Sequence, residues 1–173
     1  KKNKIILIQG FIASTYDDKI CTLTRGGSDT TAAIVAAKLD ASRLEIWTDV
    51  NGVYNADPNI IKNAKIIKYL DYELCQEMAA MGAKILHPYC IKPCQINNIP
   101  IFIKNTYNEN SEITIIDNNY SNELSIMLQP NNIIFNISSL DMWNAYGFVS
   151  QIFNNFEKYG IDDNFLRLGS RGV

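Results

Sequence analysis

Short apolar runs alternate with segments of helical period through the first two-thirds of the chain, and this alternation restricts the fold more than any other feature. The strand candidates are residues 5–8, Leu44–Thr48 and residues 100–103. The helix candidates are residues 28–39, a helix from an Asp71 N-cap to Ala80 or Met81 with Gly82 at its C-cap, and residues 88–97. Strands and helices of these lengths in this order predict an α/β layered domain.

Composition and charge narrow the possible functions. The chain has 173 residues, 47% of them apolar and 20% charged, which is enough to bury a core in one domain or in one domain and part of a second. The net charge is −2, so no nucleic-acid or membrane-surface partner is predicted. No apolar run approaches the roughly 20 residues of a membrane span. The basic, then apolar, N-terminus is too short in its apolar part for a signal peptide, so a cytoplasmic protein is predicted.

Four cysteines raise the question of a metal or redox site. Cys90 and Cys94 are one helical turn apart, a spacing that suits either. The chain has one histidine and no CxxC motif, so a tetrahedral zinc site lacks ligands. We therefore expect buried, reduced thiols and no metal site in the protein.

A polar, turn-prone stretch marks a predicted domain boundary. The sequence predicts residues 1–117 as one domain, 118–124 as a linker and 125–173 as the start of a second. After the linker come strand candidates at residues 125–128 and 133–138 and a helix over about 146–159. Residues 164–173 show no clear period.

The stretch "TLTRGGSDTT" at residues 22–31 is the first candidate site. Gly26 and Gly27 would let backbone N–H groups approach a ligand at a helix N-terminus, which favours negative charge. Arg25 could clamp a carboxylate or phosphate, Ser28 would cap the helix, and Asp29 could orient charged groups. A capped helix after a Gly-Gly turn, with Arg25 solvated, also explains the pattern. The spacing excludes a P-loop.

Two further stretches of the sequence are candidate binding sites. In "WTDVNGVYNADP", residues 47–58, Thr48 and Asp49 end a strand, where ligands bind in open α/β sheets, and Tyr54 could stack on a purine. A plain surface loop is the alternative. In "GAKILHP", residues 82–88, Lys84 could reach phosphate oxygens. His87 stands before a proline at an element boundary, so a structural role is expected rather than that of a catalytic base.

Taken in order, these stretches resemble the aspartate kinases of the amino acid kinase family. "TLTRGGSDTTAAIVAAKL" is similar to that family's aspartate-binding segment and "IWTDVNGVYNADP" to its adenosine-binding segment, while "EMAAMGAKILHP" and "IPIFIKNTYN" resemble the two that follow. "SSLDMWNAYGFVSQIFNNFEKYGI" resembles the opening of its regulatory ACT domain. The resemblance is dense over about residues 5–116 and looser to about residue 163.

The resemblance implies a fold, a reaction and a set of site residues. The fold would be the C-terminal half of the family's three-layer α/β sandwich, followed by a partial ACT-like α+β domain. ATP, with Mg²⁺, would phosphorylate the side-chain carboxylate of L-aspartate to 4-phospho-L-aspartate, which opens biosynthesis of lysine, threonine, methionine and diaminopimelate. The implied substrate-binding residues are Arg25, Gly26, Gly27 and Ser28, the catalytic residue is Asp29, and the nucleotide-binding residues are Thr48, Asp49, Tyr54, Lys84 and Ile85.

The resemblance also implies binding partners, and this sequence departs from the family pattern at some positions. A lysine or threonine effector and a homo-oligomer are expected. Asn59 stands where an arginine commonly contacts nucleotide phosphate, and no segment resembles the family's Lys-Phe-Gly-Gly phosphate loop. We therefore expect this chain alone to be inactive. The alternative is a non-catalytic regulatory module that binds an amino acid or a nucleotide.

Overall fold

The computed structural model describes residues 4–23, 25–83, 86–119, 123–128 and 147–160. The chain divides into two compact units, Lys1–Gln129 and Pro130–Val173. The strands are β1 Ile12–Ser14, β2 Ile20–Thr22, β3 Leu44–Thr48, β4 Tyr69–Asp71, β5 Ile101–Asn105 and β6 Thr114–Asp117. The helices are α1 Gly27–Lys38, α2 Tyr72–Ala80, α3 Pro88–Ile96 and α4 Phe148–Lys158.

A four-stranded mixed sheet organises the first unit, in the order β3-β5-β6-β4. β3 runs parallel to β5 with Leu44 opposite Ile101, and β4 runs parallel to β6. β5 and β6 are antiparallel. The parallel pair β3–β5 brings the carboxyl ends of both strands to one edge, where Thr48 ends β3 and Asp49 follows it. This mixed α/β architecture agrees with the predicted fold class.

The core lies between the sheet and helices α1, α2 and α3. Alternate residues of β3 and β5 are buried, including Leu44, Ile46, Ile101 and Ile103. Ala33 and Ala36 of α1 are also buried, and small side chains there let α1 approach its neighbours closely. Alternation with period two on the strands therefore selects the face on which the helices pack.

The predicted helices are confirmed to within about two residues at each end. The Asp71 carboxylate accepts a hydrogen bond from the Leu74 N–H at 2.8 Å, as expected of an N-cap. Gly82 follows α2 with φ of 97°, the left-handed conformation of a glycine that ends a helix. In the second unit, α4 matches the predicted helix, and Phe153 meets Phe156 edge-on at 6.4 Å between ring centroids.

Two predicted strands are absent. Residues 5–8 are exposed, and none of the strands in the described ranges pairs with them. An apolar run becomes a strand only when a neighbour completes its backbone hydrogen bonds, so the prediction was wrong for lack of a partner. Residues 125–128 make one such bond, from the Ile126 N–H to the Asn55 carbonyl, and do not form a strand. The candidate at 133–138 and the tail at 164–173 lie outside the described residues.

A buried hydroxyl anchors the loop between β3 and β4 through two hydrogen bonds. Thr114 on β6 accepts from the Val53 N–H at 2.8 Å and donates to the Ile67 carbonyl at 2.7 Å. A Cβ on Gly52 would lie 2.6 Å from the Thr114 hydroxyl oxygen. The predicted Asn51-Gly52 turn therefore needs glycine for space, because the loop is docked on the sheet.

Candidate functional site

The arginine–glycine–glycine segment begins α1. Gly26 is the N-cap, with φ of 73° in the left-handed region, and no side chain caps the helix. Ser28, predicted to be the cap, lies exposed inside the first turn instead. That prediction was wrong because the left-handed glycine starts the helix two residues earlier. No side-chain cap hydrogen bond therefore occupies the first-turn N–H groups of α1.

The glycines let neighbouring segments approach this turn closely. A Cβ on Gly27 would lie 2.7 Å from both Leu23 Cβ and Phe11 Cδ2. The backbone N–H of Phe11 donates to the Thr31 hydroxyl at 3.2 Å. Gly27 is buried at this contact and Arg25 is exposed, so the loop presents its arginine outward while its backbone is held from behind.

Asp29 lies in the first turn of α1, close to His87. Burial raises the pKa of the Asp29 carboxyl above its ordinary value of 3.8, and the charge of His87 opposes this rise. A half-buried carboxyl with a raised pKa is a common feature of functional sites. Of the predicted aspartate-binding segment, Gly26 and Asp29 are thus brought next to the "HP" motif.

The second group of predicted residues lies where β3 ends. The Thr48 hydroxyl donates to the Asp49 carboxylate at 3.1 Å, and the Thr48 carbonyl accepts from the Thr106 N–H at 2.8 Å. The Asn105 amide donates to the Asn51 side-chain oxygen at 2.6 Å. Residues at the end of β5 therefore fix the loop that carries Thr48 and Asp49.

Tyr54 and Asn59 lie further along the same loop. Tyr54 forms an isolated antiparallel bridge with Ile66 and is partly exposed. Asn59 folds back on Asp57, whose carboxylate accepts from the Asn59 N–H at 2.9 Å and from its side-chain amide at 3.0 Å. Asn59 therefore closes a local turn. Lys84 and Ile85 lie outside the described residues.

Two structural features of the candidate site were not predicted from the sequence. Asn105 at the end of β5 holds Asn51, and its side-chain oxygen accepts from the Tyr107 N–H at 2.7 Å. The signal available was its place at the carboxyl end of a predicted strand. The contact between His87 and the glycine turn carries no sequence signal, because 61 positions separate Gly26 from His87.

Comparison with known proteins decides the family. A sequence model described as "Amino acid kinase family" matches residues 1–105, more than half of the 173 residues. This chain belongs to the amino acid kinase family. Among the helices of this amino acid kinase that the structure describes, none has the length and apolar character that crossing a membrane requires.

Relatives of this amino acid kinase are named as aspartokinases. It is 36% identical over 165 residues to lysine-sensitive aspartokinase 3 of Escherichia coli, covering 94% of this chain and 37% of that one. It is 39% identical over 164 residues to a bifunctional aspartokinase/homoserine dehydrogenase of Haemophilus influenzae, covering 92% and 20%. This chain therefore spans between a fifth and two-fifths of the length of these two relatives.

A solved structure gives the same similarity in three dimensions. The crystal structure of E. coli aspartokinase III in complex with aspartate and ADP superposes with a TM-score of 0.72 at 32% identity. The match covers 93% of this amino acid kinase and 37% of that chain. The mixed α/β fold predicted from the sequence is thereby confirmed.

Proposed function

We propose that the protein to which this chain belongs is an aspartate kinase. It transfers the γ-phosphoryl group of ATP to the side-chain carboxylate of L-aspartate, giving 4-phospho-L-aspartate. The observation that carries the proposal is the start of α1, where no side chain caps the helix, Arg25 precedes the N-cap Gly26 and Asp29 lies in the first turn. The similarity of more than nine-tenths of the chain to aspartokinases supports the same substrate.

The aspartate site is assigned to the turn before α1. Arg25 would hold a carboxylate of aspartate through paired N–H donors, while the backbone of Gly26 and Gly27 and the hydroxyl of Ser28 would provide further donors. Asp29 would orient the charged groups around the transferring phosphoryl. Phosphoryl transfer depends mainly on positioning and charge stabilisation, and this set of residues supplies both.

The nucleotide site is assigned to the carboxyl edge of β3 and β5. Thr48, Asp49 and Tyr54 would surround the nucleoside, with Lys84 and the Ile85 backbone nearby. Magnesium would arrive with ATP, held mainly by phosphate oxygens.

Regulation is assigned to the C-terminal part of the chain. We propose that residues 118–124 are a linker and that residues 125–173 begin an ACT-like domain that binds an effector such as lysine or threonine. One relative is named lysine-sensitive, which supports lysine as the first effector to test. Homo-oligomer formation and a cytoplasmic location are part of the same proposal.

Trapping aspartyl phosphate with hydroxylamine tests the function. The assay is run with MgATP and aspartate on the 173-residue chain and on the full-length product of its gene. We expect product from the full-length protein and none from this chain, since no segment of the chain supplies the phosphate-loop lysine. Absence of product from both would contradict the proposal and favour a non-catalytic binding module.

An arginine comparison tests the aspartate site separately. Arg25→Lys keeps the charge and loses the paired donors, so the KM for aspartate should rise at least about tenfold, with the KM for ATP little changed. Arg43→Lys is the matched control, because Arg43 pairs with Glu45 at 2.7 Å on the sheet. Equal kinetics for the two variants would contradict the assignment of Arg25.

A further inference from the structure

His87 is fixed in place by the start of α3. It is the N-cap of that helix, and its Nδ1 accepts from the Tyr89 N–H at 3.4 Å. Pro88 occupies the first helical position, where its restricted φ favours the helix. The His87 ring also contacts the Tyr89 ring, with 4.9 Å between centroids. The imidazole therefore has a defined position at the helix terminus.

This position lies directly against the glycine turn. A Cβ built on Gly26 would lie 2.3 Å from His87 Cβ and 2.7 Å from His87 Cγ. Such distances leave no room for any side chain at position 26. The left-handed φ of Gly26 and the packing of His87 thus impose the same requirement for glycine from two directions.

Asp29, one turn further into α1, also faces this terminus of α3. The charge of His87 acts on the Asp29 carboxyl, and Asp29 in turn acts on the thiol of Cys90 in the first turn of α3. Asp29 therefore interacts with both the N-cap and the first turn of α3.

We infer that His87 is a positioning residue for the substrate segment. By capping α3, it holds its ring against the left-handed Gly26 and beside Asp29, and so fixes the turn from which Arg25 extends. The inference rests on the proposed function, in which this turn binds aspartate and orients the phosphoryl group. It assigns His87 no contact with substrate and no proton transfer.

The kinetic experiment separates positioning from simple helix capping. Asparagine is among the strongest N-cap residues, so His87→Asn should keep α3 and a urea midpoint near that of the wild type. In the full-length protein, kcat/KM for aspartate should fall by about 10- to 100-fold, as expected for a misplaced substrate. The KM for ATP should stay within about twofold, because β5 fixes the loop that carries Thr48 and Asp49. Full activity of His87→Asn would overturn the inference.

A second readout does not need turnover. The pKa of the Asp29 carboxyl is followed by carbon-13 NMR in the 173-residue chain, with Asp29→Asn used to assign the signal. His87→Asn should raise that pKa further, since the electrostatic interaction with His87 that opposes the rise is removed. An unchanged Asp29 titration would overturn the contact. If the wild-type full-length protein makes no aspartyl phosphate, the proposed function fails, while this titration still tests whether His87 lies beside Asp29.

Discussion

Gly26 shows how one residue sets the geometry of the whole turn. Its φ of 73° and the absence of space beside His87 both exclude an L side chain. Gly160 has φ of 63°, and a Cβ added there would meet nothing within 4 Å, so it isolates the conformational effect from the steric one. Gly160→Ala should cost about 1–2 kcal/mol, and Gly26→Ala should cost about 1–3 kcal/mol more.

Urea denaturation followed by circular dichroism measures both glycine variants. The control is Gly160→Ala, whose loss gives the cost of the left-handed conformation alone. If Gly26→Ala were no more destabilising than Gly160→Ala, the contact between Gly26 and His87 would be absent in solution. A wild-type-like kcat/KM in Gly26→Ala would likewise contradict the proposed role of the turn.

A single residue, Asp29, should also make the stability of the protein depend on pH. Its pKa is raised in the folded state, so the native protein binds this proton more tightly than the unfolded chain does. The contribution of Asp29 to the free energy of unfolding is therefore greatest below the ordinary value of 3.8 and is lost as pH rises through the raised value. Asp29→Asn should be more stable than the wild type near neutral pH and no different in acid.

Urea midpoints of Asp29→Asn and the wild type, measured across the acid range, test the direction of this pH dependence. The same variant should lose aspartyl phosphate formation in the full-length protein, so stability and activity should move in opposite directions. A neutral-pH midpoint lower than that of the wild type would show that the helix N-terminus stabilises the charged carboxylate more than burial opposes it.

At the scale of elements, the sequence predicted the helices, whose determinants are local, but it missed the local hairpin of β1 and β2. The Asp71 cap, Gly82 and the period of residues 72–80 lie within a few positions of one another, and α2 forms as predicted. β4 and β6 were missed because Tyr69 finds its partner, Ile115, far along the chain. Ser28 failed as a cap because a neighbouring glycine starts the helix. Sites built from distant segments, such as Gly26 with His87, are unpredictable for the same reason as β4.

Tyr72 joins two elements through one hydrogen bond. Its buried hydroxyl, at the start of α2, donates to the Ile99 carbonyl before β5 at 2.6 Å. Tyr72→Phe leaves that carbonyl buried without this donor, so unfolding should become easier by about 1–3 kcal/mol. Tyr69→Phe, on an exposed ring, should change the urea midpoint little. Equal midpoints for the two variants would contradict the role of this bond.

At the scale of the whole molecule, the cysteines report on the core. Cys75, Cys90 and Cys94 are buried between α2 and α3, while Cys21 on β2 is partly exposed. Burial raises the pKa of Cys75 to about 12 and that of Cys94 to about 11, and it also raises the pKa of Cys90. Thiolates are the reactive species. These three thiols should therefore react slowly for two reasons: reagents cannot reach them, and they remain protonated.

Ellman's reagent at about pH 8 counts the reactive thiols, since an unperturbed cysteine has a pKa of about 8.5. We expect one thiol per native chain to react rapidly, with the other three reacting only after denaturation. Cys21→Ser should abolish the rapid phase and leave the slow one unchanged.

The three buried thiols belong to two helices that share one core. They should therefore become accessible to the reagent together, at the rate of unfolding. Separate release of Cys75 would mean that α2 opens independently of α3.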